Sequence, residues 1–246
     1  MSLVLRRLSV SIKQKTLVQN INCQLDAGQL IGLLGTNGAG KTSLLRAIAG
    51  LTAYSGVMLL NQVAMNTVHR ADYAKKIAYL AQKHPIHWAL SVEQVVALGR
   101  LPYLSRWQTL STLDQEIILR TMQQTETLDF AQRPITELSG GEQARVLLAR
   151  AMAVQAPVLL ADEPVTSLDP YHQLRVMELL RQYAQQGHLV IAVLHDFNLA
   201  ARFCQKIILL HQGQLVTQGE PQQVLTPNNL MNVYQLTQQD LDYMNY

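Results

Sequence analysis

The chain has 246 residues, 48% of them hydrophobic, and a net charge of +3 carried by scattered basic residues. This composition excludes a disordered chain, and it offers no Lys/Arg stripe of the kind that grips nucleic acid. Two cysteines, Cys23 and Cys204, lie far apart without metal-type spacing, which excludes a disulfide framework. No apolar run approaches the roughly 18 residues of a membrane span, and the N-terminal stretch lacks the apolar core of a signal peptide. The expectation is a soluble, cytosolic chain that touches a membrane only through a partner.

Leu8, Val10 and Ile12 alternate with Ser9 and Ser11, and Ile21, Cys23 and Leu25 alternate with Asn20, Asn22 and Gln24. A period of two predicts antiparallel strands with one wet face, joined by a polar turn at Lys13, Gln14 and Lys15. Residues 30–34 read as a short apolar strand running into Gly35. Residues 42–50 read as a helix with Leu44, Leu45 and Ile48 on one face and Gly50 as its stop. Residues 84–137 are helix-rich, with the clearest helices at 92–98 and 113–127, and a further helix is predicted at 143–154. The runs 158–161, 189–194 and 207–210 are apolar throughout, as strands of a parallel sheet covered on both faces are. Residues 174–186 read as the helix between two of them. The predicted fold is α/β: a nucleotide-binding core with an antiparallel β subdomain (1–83 and 138–223), a helical insert (84–137) and a polar helical tail (224–246).

Three motifs carry chemistry. Gly35, Thr36, Asn37, Gly38, Ala39, Gly40, Lys41 and Thr42 match the phosphate-loop pattern, followed by Ser43. Glycines let the backbone curl its N–H groups toward a phosphate, Lys41 adds a point charge for the β- and γ-phosphates, and the Thr42 hydroxyl suits Mg²⁺. Ser139, Gly140 and Gly141 open another helix and read as a second anion-binding start. The strand at 158–161 ends in Asp162 and Glu163. Asp162 is placed to hold Mg²⁺ through water and Glu163, on the other side of the strand, to polarise an attacking water; a solvated strand end before Pro164 is the plainer alternative.

In this order, with Gln82, Ser167-Leu168-Asp169 and His195, the motifs resemble the ATP-binding subunit of an ATP-binding cassette (ABC) transporter across nearly the whole chain. The run Leu138 to Glu142 is the discriminating piece. The resemblance implies a P-loop NTPase fold and Mg·ATP hydrolysis, with Glu163 as general base, Gln82 on Mg²⁺ or water, and His195 on the γ-phosphate. It implies a head-to-tail pair in which Ser139, Gly140 and Gly141 of one copy close over ATP held by Lys41 of the other, with Asp169 in the loop that communicates between copies. One copy alone is expected to hydrolyse ATP poorly. Transmembrane permease subunits would dock on the helical insert, placing the chain at the cytoplasmic face of the membrane, with a periplasmic or extracellular substrate-binding protein as an indirect partner.

Two positions depart from the family pattern. Ile12 stands where an aromatic ring usually stacks on adenine, and Ala161 where a larger aliphatic is usual. Residues 96–103 and 224–230 resemble the ATPases of importers of iron–siderophores, haem or cobalamin. His84, His87 and Trp88 are read as packing or partner residues rather than metal ligands. The alternatives are a cassette of a different transporter, or a soluble cassette protein acting on nucleic acid or ribosomes. The single cassette and the absence of a basic stripe argue against the latter.

Overall fold

A computed structural model describes residues 1–82, 89–105 and 107–243, with side chains through residue 240. His84, His87 and Trp88 lie outside the described residues. The chain begins with β1 (Ser2–Ile12) and β2 (Lys15–Asp26), an antiparallel hairpin, followed by β3 (Leu30–Gly35) and α1 (Lys41–Ile48). Then come β4 (Ser55–Leu60), β5 (Val63–Ala64), α2 (Arg70–Lys76) and β6 (Ile77–Leu80). Helices α3 (Val92–Ala97), α4 (Thr112–Gln124) and α5 (Gly140–Ala153) lead to β7 (Val158–Ala161). The remainder is α6 (Pro170–Gln185), β8 (Leu189–Val193), α7 (Phe197–Phe203), β9 (Lys206–His211) and β10 (Gln214–Gly219). Three short helices close the chain: α8 (Pro221–Val224), α9 (Pro227–Tyr234) and α10 (Gln238–Tyr243).

The strands form two sheets. One is antiparallel, in the order β2-β1-β4-β5; the other runs β10-β9-β3-β8-β7-β6 and is parallel except for its β10 edge. The mostly parallel sheet is covered on both faces, as its unbroken apolar strands require. Leu30 and Leu34 of β3 pack with α6, α7 and the chain's end, while Ile31 and Leu33 pack with α1 and the hairpin. Each such fully buried side chain contributes roughly 1.5–3 kcal/mol. A third cluster joins α3 and α4 to α5 through Val92, Val96, Ile118, Met122, Val146 and Ala149. Helix α5 serves two layers, since its Leu148, Ala151 and Met152 face the sheet.

The segment that resembles the metal-chelate importers has a structural role. A Cβ on Gly99 would lie 2.3 Å from the Arg150 carbonyl, so only glycine lets this turn approach the end of α5. Arg100, 4% exposed, donates to Asp114 Oδ1 at 2.8 Å and to the Ala153 carbonyl at 2.8 Å. Asp114 also closes a capping box with Ser111 at the start of α4. Hydrogen bonds from Ser111 and Arg100 bring its carboxyl down to about 2.

At the end of the chain the described part of the stretch read as a helical tail (224–246) is divided into short helices. Pro221 and Pro227 each open a new helix, and Gln235 ends α9 in the left-handed region at φ 58°. Val224, Leu225, Leu230 and Val233 are buried in the main core. Among the described residues no helix is long and apolar enough to cross a membrane.

Candidate active site

A cleft of about 450 Å³ opens at the ends of β3 and β7, lined by Asn37, Gly38, Gly40, Lys41, Thr42, Ser43 and Glu163. The sequence places it there because β3 runs into a glycine-rich turn and α1 begins at once. Gly40 is the N-cap of α1, at φ 96°, and no side chain caps that helix. A Cβ on Gly40 would lie 2.5 Å from the Leu17 carbonyl, so glycine meets both the backbone angle and the close approach of the hairpin. The Ala39 N–H donates to the Thr36 carbonyl at 3.1 Å and tightens the loop. An uncapped helix start with no acid in its first turn is suited to an anion.

Lys41 is 5% exposed, and its Nζ donates to the carbonyls of Gly35 (2.8 Å) and Thr36 (3.0 Å). Burial lowers the ammonium pKa below its ordinary value, against the pull of Glu163 and Asp162. Asp162 is 1% exposed. Its Oδ1 accepts from Thr42 Oγ1 at 3.0 Å and its Oδ2 from the Tyr79 hydroxyl at 2.9 Å. A hydroxyl and a carboxylate beside a phosphate cradle form the oxygen set that Mg²⁺ takes, since that ion is held by few protein ligands plus substrate phosphates. Among the described residues no cluster of three or more His, Cys, Asp or Glu offers another metal site.

Glu163 sits one residue past Asp162, at φ 53°. Its Oε1 lies 2.9 Å from His195 Nε2, and its Oε2 accepts from Gln82 Nε2 (2.6 Å) and Thr166 Oγ1 (3.0 Å). Burial pushes this carboxyl up, but the His195 and Thr166 hydrogen bonds and the charges of His195 and Lys41 outweigh it and hold the group below its ordinary value. Glu163 is therefore ionised at neutral pH, a proton acceptor whose two oxygens are both engaged.

The structure gathers Lys41, Thr42, Asp162, Glu163, Gln82 and His195 in one network. Ile12 is 50% exposed at the end of β1; the hairpin presents Lys15, Thr16 and Leu17 to the cleft instead. Ala161 is fully buried against the neighbouring strands. Ser139, Gly140 and Gly141 do not line the cleft. Ser139 caps α5 in a closed box with Glu142: the Ser139 N–H and hydroxyl donate to Glu142 Oε2 at 2.8 and 2.9 Å, and the Glu142 N–H donates back to Ser139 Oγ at 3.3 Å. Gly140 is exposed, whereas Gly141 is buried beneath His172, whose ring a Cβ would meet at 2.2 Å. Asp169 caps α6, accepting from the His172 N–H at 3.0 Å, so the Asp169 loop touches the start of α5 through His172.

Thr166, Tyr79 and His172 belong to none of the sequence motifs. Tyr79 left one signal: it is the single polar side chain in the apolar run of β6. Thr166 and His172 left only their offsets of three residues from Glu163 and Asp169.

A family model described as ABC transporter matches residues 18–166. The hemin import ATP-binding protein HmuV of Pseudomonas fluorescens (strain Pf0-1) is 40% identical over 229 residues, which is 91% of this chain and 88% of that protein. The iron(3+)-hydroxamate import ATP-binding protein FhuC of Bacillus subtilis (strain 168) is 35% identical over 237 residues, 96% of this chain and 88% of that one. The cobalamin import ATP-binding protein BtuD of Halobacterium salinarum (strain ATCC 29341) is 38% identical over 232 residues, covering 94% of this chain but only 58% of that relative's length. Among solved structures, a metal-chelate type ABC transporter in an inward-facing conformation matches at TM-score 0.83 and 27% identity, over 96% of this chain and 89% of that one. A bacterial ABC transporter cassette solved as a dimer matches at TM-score 0.76 and 27% identity, over 89% of this chain and 98% of that one. The fold and the site thus define a phosphate-loop cassette. The chain belongs to the ABC transporter family.

Proposed function

We propose that this chain hydrolyses Mg·ATP as one of a head-to-tail pair and drives import of a metal chelate: haem, an iron–siderophore or cobalamin. The observation that carries the reading is the split between the two helix starts. Lys41, Thr42 and Glu163 line one cleft, with Asp162 bonded to Thr42 and with Gln82 and His195 bonded to Glu163, while Ser139 and Gly140 stand exposed, outside the lining and without a bond to any of these residues' side chains among those described. The names of the hemin, hydroxamate and cobalamin import relatives support the substrate class, and the dimeric cassette supports the pairing.

In this reading Lys41 leaves the carbonyls of Gly35 and Thr36 for the β- and γ-phosphates. Thr42 and Asp162 would hold Mg²⁺, with Gln82 at the edge of the site. When bound, the ion supplies neutralising charge to the phosphate oxygens. Glu163 accepts the proton of the attacking water once one of its partners lets go of an oxygen. His195 and Gln82 keep its carboxylate aimed into the cleft. The helical layer around α3 and α4 receives the permease subunits, which hold the chain at the cytoplasmic face of the membrane, and a periplasmic or extracellular binding protein delivers the chelate.

Uptake of labelled haem, siderophores and cobalamin by a strain lacking this gene tests the substrate class. Loss of one of these, restored by the wild-type gene and not by Glu163→Gln, is the expected result. Normal uptake of all three contradicts it.

A further inference from the structure

The buried carboxylate of Asp162 has two oxygens and two donors, and one of these donors has no part in the function proposed above. Strand alternation explains how it arrives. Ile77 and Tyr79 of β6 share a face with Val158 and Leu160 of β7, the face packed against α1 and the hairpin. Asp162 is the next residue in that alternation, so its side chain leaves the strand end on the same face as the Tyr79 ring. The Tyr79 hydroxyl donates to Oδ2 at 2.9 Å, and Thr42 donates to Oδ1 at 3.0 Å from the first turn of α1.

The two donors are not equivalent. The Thr42 hydroxyl is itself one of the oxygens offered to the metal: a lone pair serves there while its proton goes on donating to Oδ1. Tyr79 has no such second duty, and its hydrogen bond to Oδ2 fixes the rotation of the carboxylate. With Oδ2 held by Tyr79, Oδ1 points at Thr42 and the phosphate loop. Outer-sphere donors of this kind orient metal ligands, and their loss typically costs about 10–100-fold in metal affinity.

We propose that Tyr79 is a positioning residue for the metal site, holding Asp162 in the rotamer that presents Oδ1 beside Thr42. The proposal rests on the reading of Asp162 as the metal-holding carboxylate. The test uses the purified full chain with Mn²⁺ as the probe. Free Mn²⁺ is followed by electron paramagnetic resonance in saturating ADP, and ADP affinity is measured by calorimetry in EDTA. Tyr79→Phe keeps the ring and removes only the hydroxyl. The expected result is an Mn²⁺ affinity about tenfold weaker, with metal-free ADP affinity and thermal midpoint unchanged. Wild-type Mn²⁺ affinity in Tyr79→Phe overturns the proposal. A variant that loses metal-free ADP binding in parallel, or that melts before binding either, has a merely structural tyrosine and overturns it too. Asp162→Asn separates the layers: if it retains wild-type Mn²⁺ affinity, the reading of Asp162 itself fails, whatever Tyr79 does.

Discussion

Two helices in this chain begin with glycine and a hydroxyl residue, and their starts differ in what caps them. At α1 the N-cap is Gly40, no side chain caps the helix, and its first turn holds Lys41 and no acid. At α5 the N-cap is Ser139, its hydroxyl is already engaged, and Glu142 places a carboxylate in the first turn. Hydrogen bonds from the Ser139 N–H and hydroxyl hold that carboxyl below its ordinary value, against burial. The first start is therefore open to an anion as it stands. The second is a satisfied capping box, and its hydroxyl is free for a phosphate only when it turns away from Glu142. The glycines differ as well. Gly40 is needed for a left-handed backbone beside Leu17, Gly141 because the His172 ring lies on it.

Substitutions at the two starts and around them test this difference. The largest effect is expected at the acid that faces the open start. Glu163→Gln should lower turnover by roughly 10²–10⁴-fold while ATP affinity is retained; steady-state hydrolysis at the wild-type rate would remove Glu163 from the base role. Lys41→Ala removes charge-assisted hydrogen bonds to phosphate, so ATP affinity should fall about 10–100-fold, and calorimetry showing full affinity would contradict the phosphate-loop assignment.

Stability changes come next. Asp114→Ala strands the buried Arg100 charge and should destabilise the chain by about 3–5 kcal/mol, read by denaturant unfolding, while ATP affinity at the cleft survives. Because the Asp114 carboxyl lies at about 2 rather than 3.8, its contribution is complete above pH 3.8 and lost as pH falls from there toward 2. The Asp114→Ala chain should lack that part of the acid transition. The smallest effect belongs to the second start: Ser139→Ala opens the capping box and should cost about 1 kcal/mol.

Much of this contrast was legible in the sequence, and the remainder has local causes. The uniformly apolar runs at 158–161, 189–194 and 207–210 marked the covered sheet because no alternation competes there. Strand β1 reads only from Leu8 onward because Arg6 and Arg7 shift the phase: Leu3 and Leu5 are buried before a bulge, Leu8 and Val10 after it, with Arg7 at φ 49°. Strands β4 and β10 escaped because they are half exposed and interleaved with Gly, Gln and Ser. Helix α6 starts at Pro170 rather than 174, since Asp169 caps it and proline suits its first turn. In the candidate site, residues at loops and strand ends carry a local signature, whereas Tyr79 and His172 carry none. Tyr79 acts across 83 residues of sequence, and His172 lies on a glycine 31 positions earlier, so neither spacing repeats in any local pattern.

In the proposed pair the open start binds ATP within one chain and the capped start acts on the ATP of another. Sedimentation of the Glu163→Gln chain with and without ATP, in the presence and absence of Ser139→Ala, tests it. The expected result is an ATP-dependent doubling of mass for Glu163→Gln, and a monomer that still binds ATP when Ser139→Ala is added. If Ser139→Ala instead weakens ATP binding by the single chain as strongly as Lys41→Ala does, or leaves the pairing untouched, the claim is wrong.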